Sequence, residues 1–202
     1  MYKHCKVWCN GWYVGSWQNG YTSFQFDITE ALKTDGSDNV IAVCVEHEDI
    51  ADCRWYTGSG IMRPVHIAYT GSACLTDDGV YFRSERKEAV TVAARIQNLR
   101  EEAQAVTCTV RVTEQGGAVV YEETKDVALA AEADATAQFS AVLHGAHLWS
   151  ADEPYLYALS VQVHGAGALL DDYATSVGIR DLCFDADTGF SCNGKRVKLK
   201  GL

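Results

Sequence analysis

The sequence predicts an all-β fold, a sandwich of short antiparallel strands, on three observations. Val90, Val92, Ala94 and Ile96 alternate with polar or small residues, as do Val106, Cys108, Val110 and Val112, and again Tyr157, Leu159, Val161 and Val163. A period of two gathers the apolar side chains of each run on one face, which needs a facing sheet to cover it. Turn signals separate the runs at short intervals: Asn10-Gly11, Asp38-Asn39, Asp78-Gly79, Gly116-Gly117, Gly165 to Gly167 and Asn193-Gly194. The two Asn-Gly pairs tolerate the positive φ angles of tight hairpin turns and are read as hairpins. Helical signals are poor. Residues 126–138 are rich in Ala and Glu but define no wide apolar stripe, so they read as strand, turn, strand. Residues 28–33 offer at most a turn or two of helix before a loop with Asp35-Gly36.

Along the chain, a Trp- and Tyr-rich first third gives way near Tyr69 to Asp78 to an aromatic-poor stretch of Val, Ala and Thr, which is the expected domain boundary. From Leu75 to about Ile179 the sequence holds about seven strand candidates, the number of an immunoglobulin-like sandwich. With 202 residues, 48% of them hydrophobic, the chain can bury a substantial core. No apolar run approaches the roughly 20 residues that cross a bilayer, and the first residues lack a secretory signal. A net charge of -10 argues against a nucleic-acid partner, because phosphate neutralisation needs clustered Lys and Arg. The expectations are therefore no membrane, no nucleic acid and a cytoplasmic location.

Eight cysteines, at positions 5, 9, 44, 53, 74, 108, 183 and 192, show no repeated spacing and no CxxC pair. Their apolar surroundings favour buried free thiols in a reducing compartment, with Cys5 and Cys9 the pair to inspect. His144 and His147 are three residues apart but lack a third ligand nearby, and the glycines form no phosphate cradle, so neither metal nor cofactor is expected. Ser16 and Ser59 have no nucleophile-elbow context. The acidic pairs are read as solvated surface groups: Glu46 and Glu48 on one side of a strand, Glu122 and Glu123 on opposite faces, Asp171-Asp172 at a turn. Trp8, Trp12 and Trp17 with Tyr13 and Tyr21 either form a carbohydrate-stacking platform or pack at a core or edge; packing is favoured, since the Asn10-Gly11 turn separates Trp8 from Trp12.

Longer motifs carry a resemblance. Residues 7–15 (VWCNGWYVG), 20–29 (GYTSFQFDIT) and 54–65 (RWYTGSGIMRPV) resemble the jelly-roll domain of glycoside hydrolase family 2, the last in the form of its β-galactosidase-like branch. Residues 148–157 (LWSADEPYLY) and 177–180 (VGIR) resemble the end of that family's immunoglobulin-like sandwich, and 189–201 (GFSCNGKRVKLKG) its hairpin leading into a (β/α)8 barrel. The resemblance implies a partial jelly roll over residues 1–70, an immunoglobulin-like β-sandwich over 71–179, and a short β-hairpin stub of the barrel over 180–202. It also implies that strands precede Met1 and that the barrel, with both catalytic glutamates, lies beyond Leu202. A retaining glycosidase needs two carboxyl groups about 5–5.5 Å apart, which the family carries on barrel strands.

On this reading the chain is a non-catalytic front end, inactive alone. Arg54 and Trp55 are the substrate-binding candidates, because the family's loop there reaches the mouth of the barrel. A guanidinium donates to sugar hydroxyls and an indole stacks on sugar C–H groups. The alternative for Trp55 and Tyr56 is packing at an inter-domain joint. The carbohydrate partner, a β-galactoside, is expected only together with a barrel; self-association through exposed jelly-roll edges is a further expectation. The rival function is a free-standing carbohydrate-binding or adhesion sandwich.

Overall fold

The computed structural model describes residues 2–48 and 58–199 and divides the chain into two compact units, Met1–Ile67 and Ala68–Leu202. The fold is all-β. Its described helix is a single 3-10 turn at Thr29–Ala31, within the stretch that offered a turn or two of helix.

The first unit is built on one antiparallel sheet of β1 (Cys5–Cys9), β2 (Trp12–Trp17) and β3 (Ile41–Val45), in the order β2-β1-β3. Asn10 and Gly11, both at positive φ (51° and 86°), make the β1–β2 hairpin turn. The Asn10 side chain also reaches out of its own turn: its amide donates to the Ala31 carbonyl (2.8 Å) and to Asn39 Oδ1 (2.7 Å), and its Oδ1 accepts from Val40 N–H (2.9 Å). Asn39 clamps the loop ahead of β3, accepting from Lys33 N–H at 2.8 Å and donating to the Lys33 carbonyl at 3.1 Å. Alternation puts Cys5, Val7 and Cys9 on the buried face of β1. Two glycines are required here by close approach. A Cβ at Gly15 would meet the Phe26 ring at 2.5 Å, and one at Gly20 would meet the Tyr2 ring at 2.0 Å.

The second unit is a seven-stranded sandwich followed by a small sheet. Its strands are β4 (Ala73–Glu85), β5 (Ala89–Asn98), β6 (Gln104–Thr113), β7 (Val119–Leu129), β8 (Asp134–Val142), β9 (Tyr157–Gly165) and β10 (Ala168–Val177). One sheet is ordered β4-β5-β8 and the other β10-β9-β6-β7, every pairing antiparallel. The three alternating runs predicted from sequence fall on β5, β6 and β9, with their apolar members no more than 3% exposed. Phe139 and Leu129 join them between the sheets, each such side chain contributing about 1.5–3 kcal/mol on burial. Residues 126–138 are strand, turn, strand, as expected.

The one buried polar side chain in the described core, Asn98, is saturated. It donates to the carbonyls of Glu102 (2.9 Å) and Ala130 (2.8 Å) and accepts from Arg100 N–H (3.0 Å) and Gln104 Nε2 (2.6 Å). Burying an amide is tolerable only with such partners. Past the sandwich, β11 (Leu182–Asp185), β12 (Gly189–Cys192) and β13 (Lys195–Arg196) form a three-stranded meander, with Asn193-Gly194 at φ 54° and 81° as its second turn.

Three expectations are corrected. Asp78-Gly79 does not separate strands: it sits inside β4, where pairing with β5 jumps between Leu75 and Val80, so the positive φ of Asp78 (50°) serves a bulge. Asp171 and Asp172 are paired strand residues of β10 rather than turn residues. Glu46 and Glu48 lie just past the end of β3.

Candidate functional site

The two residues singled out for substrate contact, Arg54 and Trp55, lie outside the described residues, as does Tyr56. The residues that bracket them are held together. His47 Nδ1 and Ser59 Oγ share a hydrogen bond of 2.8 Å, closing the chain from residue 47 to residue 59. The His47 imidazole meets the edge of Tyr2 with ring centroids 4.9 Å apart, and Tyr2 also contacts Tyr21 at 5.5 Å. The Tyr2 backbone bridges to Gly60, whose φ of 104° suits glycine. Arg63 Nη1 donates to the Tyr21 carbonyl at 3.2 Å. Three residues of the jelly-roll resemblance thus have a mechanical reason: Gly20 makes room for Tyr2, Tyr21 receives Arg63, and Ser59 holds His47.

Tyr2, His47 and Ser59 were not recognisable as a group, since 45 residues separate the first two and no pattern in the sequence links them. Ser59 and His47 have the spacing of a nucleophile and its base. Among the described residues no carboxylate orients the imidazole, and the contact ties residue 47 to residue 59.

The aromatic residues of β1 and β2 divide as the hairpin turn requires. Trp8 and Tyr13 are cross-strand partners in edge contact (5.8 Å), and Trp17 stacks on Phe24 (5.7 Å) while its indole N–H reaches Thr22 Oγ1 (3.2 Å). Trp12 is 73% exposed and Tyr13 58%, so this hairpin shows two large aromatic side chains to solvent.

The acidic residues are engaged structurally. Glu46 pairs with Lys6 at 2.6 Å, which holds its carboxyl below the usual range. Glu122 pairs with Arg111. Glu123 accepts from the Tyr121 hydroxyl and lies 3.3 Å from Lys125; the hydroxyl bond lowers its pKa, while burial and the same carboxylate push the Tyr121 phenol up. A general acid needs the opposite, a carboxyl raised towards neutrality. Asp171 is raised, chiefly by desolvation, but its oxygens accept from Leu75 N–H (2.7 Å) and Asp172 N–H (2.9 Å), joining β10 to β4 rather than facing a cleft. The reading of this pair as solvated surface fails for Asp171.

His144 and His147 go to different partners. His144 approaches Glu88 at 3.4 Å, whereas His147 bonds Glu153 at 2.9 Å and lies flat on Tyr155, 4.1 Å between centroids. Among the described residues no three His, Cys, Asp or Glu side chains are grouped to hold a metal ion. Cys5 and Cys9 are buried free thiols on one face of β1, about 13 Å apart along an extended strand and beyond disulfide reach. Cys44 and Cys183 are exposed, against the expectation of burial: Cys44 sits on the outer face of β3 beside Lys6, and β11 is exposed along its whole length.

Comparison with known proteins sets this geometry in a family. The family described as "Glycosyl hydrolases family 2" matches residues 78–180, essentially the seven-stranded sandwich. A β-galactosidase of Bacteroides ovatus is 31% identical over 206 residues, covering 100% of this chain and 24% of its own length. A β-galactosidase of Thermoanaerobacter pseudethanolicus is 32% identical, covering 98% of this chain and 27% of its own. A β-glucuronidase of Formosa agariphila is 30% identical over 96% of this chain and 22% of its own. Among solved structures, a family 2 glycosyl hydrolase from Bacteroides cellulosilyticus superposes on 99% of this chain and 28% of that one, with a TM-score of 0.86 at 29% identity. The chain spans about a quarter of the length of these relatives.

Proposed function

This chain belongs to glycosyl hydrolases family 2, and on that premise we propose that it forms the non-catalytic β-sandwich region of a β-galactosidase-like enzyme. The observation that carries the proposal is one of extent: 100% of the chain aligns with 24% of a β-galactosidase, and the described residues of that portion are built on antiparallel β-sheets. Residues 1–70 are assigned to the jelly roll, 71–179 to the immunoglobulin-like sandwich and 180–202 to the lead-in of the barrel. The region scaffolds a catalytic barrel and shapes access to it, with a β-galactoside as the substrate class. Arg54 and Trp55 are assigned to the terminal sugar; the hydrogen bond between His47 and Ser59 supports this by bringing together the two ends of the segment that carries them.

The test is reconstitution. The chain joined to a matching barrel is expected to hydrolyse a chromogenic β-galactoside, and the 202-residue chain alone is not. Arg54→Ala or Trp55→Ala in the joined enzyme is expected to raise KM about tenfold, the equivalent of one lost interaction of about 1.4 kcal/mol. Hydrolysis by the isolated chain would sink the proposal.

A second reading is favoured by the exposed Trp12 and Tyr13, which suit a free-standing carbohydrate-binding module. Calorimetric titration of the chain with galactose and lactose decides between them: micromolar binding selects the module, and no binding selects the scaffold.

A further inference from the structure

The turn residue Asn193 makes more contacts than its turn requires. Its φ of 54° followed by Gly194 at 81° would be met equally by Gly or Asp at the first position. Its backbone N–H donates to the Asp181 carbonyl at 2.7 Å, and its side-chain Oδ1 accepts from Asp181 N–H at 2.9 Å. Its Nδ2 donates at 3.0 Å to the carbonyl of Trp149, in the loop before β9. Only an amide side chain both accepts and donates from one short arm while tolerating the left-handed backbone.

Trp149 is itself gripped. Its backbone N–H donates to the Ile179 carbonyl at 2.8 Å, the Arg180 guanidinium lies 4.8 Å from its ring centroid, and Gly178 passes so close that a Cβ there would touch the indole at 3.0 Å. Ser84 Oγ of β4 accepts from Arg180 N–H (3.0 Å) and donates to the Arg180 carbonyl (2.8 Å). The four residues leaving the sandwich, 178–181, are thus held by Trp149, Ser84 and Asn193. Asn193 alone among these three belongs to the meander that follows.

We propose that Asn193 is a positioning residue that locks the β11–β13 meander onto the sandwich through Trp149 and Asp181, so that the meander projects as a rigid arm in one orientation. What the arm aims at, a catalytic barrel, rests on the function proposed above; the lock itself does not. The exposed apolar side chains of the arm, Leu182 (44%) and Phe184 (76%), give the orientation a purpose, because they present a contact surface only if the arm is held still.

The experiment compares the chain with its N193D and N193G variants by amide 15N relaxation. Aspartate keeps the turn and the acceptor for Asp181 N–H but loses the donor to Trp149; glycine keeps the turn and the backbone bond to the Asp181 carbonyl but loses both side-chain contacts. In the unsubstituted chain the amides of β11 and β12 are expected to tumble with the sandwich. They should decouple partly in N193D and fully in N193G, while the midpoint of sandwich unfolding moves by less than about 3 °C. Retention of the Val197 N–H to Phe190 bond in hydrogen exchange shows that the meander is still folded. Amides that tumble with the sandwich in both variants would overturn the proposal; if glycine unravels the meander, N193D decides. In the chain joined to a barrel, N193G is expected to lower kcat/KM at least tenfold and N193D less. An inactive unsubstituted fusion counts against the proposed function and leaves the relaxation result standing.

Discussion

Single residues in this chain are chosen for where their polar atoms can go. Asn10, Asn98 and Asn193 each use both ends of the amide to tie segments that are distant in sequence. Asp171 does the same with a carboxylate, and so carries a charge into a partly desolvated place. Its folded-state pKa lies above the ordinary carboxylate value, so the folded chain binds this proton more readily than the unfolded one. Its charge therefore lowers stability as pH rises from the unfolded value near 4 through the folded value, and the penalty is absent below that window. Compared with Asp171→Asn, the unsubstituted chain is expected to lose stability progressively across this window and then run parallel to the variant. The constant offset reflects the Asp172 N–H contact that an amide oxygen cannot also accept. Chemical denaturation of both proteins at a series of pH values checks the sign; a gain in stability of the unsubstituted chain relative to Asp171→Asn as pH rises through this window would refute it.

At the scale of elements, the backbone parity of β3 makes a sharper prediction than its side chains. The Val40 carbonyl accepts from Asn10 N–H and Glu46 N–H donates to the His4 carbonyl, so residues 40, 42, 44 and 46 turn their backbone groups towards β1. Those of Ile41, Val43 and Val45 point outward from the edge, and among the described residues no strand pairs with them. Proline is tolerated where its missing N–H faces outward. Val43→Pro is expected to cost about 1 kcal/mol and Cys44→Pro about 2–3 kcal/mol. Self-association through exposed jelly-roll edges is an expectation from the sequence; if this edge pairs with another copy, Val43→Pro also reduces self-association in sedimentation. Equal destabilisation by the two prolines would show that the parity is wrong.

This edge also shows how far the sequence can be read. The strands of the sandwich were legible because Val90 to Ile96, Val106 to Val112 and Tyr157 to Val163 are buried on one face only, which leaves a period of two. Asp78-Gly79 misled because a bulge and a turn demand the same positive φ, and only pairing on both sides distinguishes them. Cys44 misled because its neighbours Val43 and Val45 are apolar while the face it occupies is open. The bracket of Tyr2, His47 and Ser59 was illegible for another reason: a contact between residues far apart leaves no periodicity, and His and Ser carry no pattern that names each other.

For the whole molecule, the two units differ in how much they bury. In the first, the buried residues among those described are Tyr2, Cys5, Val7 and Cys9, while Ile61, Met62, Val65 and Ile67 are more than half exposed. The sandwich encloses a continuous core from Ala73 to Ile179 that includes all of its central strands. Hydrophobic burial is the dominant favourable term in folding, so local opening should cost much less in the first unit. Amides of β1 and β3 that point into the ladder are therefore expected to exchange with solvent at least a hundredfold faster than those of β5, β6 and β9, a difference of about 2.7 kcal/mol in opening free energy. The comparison must use monomeric protein, because edge pairing would protect β3 without any contribution from the core. Equal protection of the two units in a monomer would mean that the first draws its stability from something other than the apolar surface it buries. A slow, uniform exchange that collapses on Val43→Pro would instead locate that stability in association between copies.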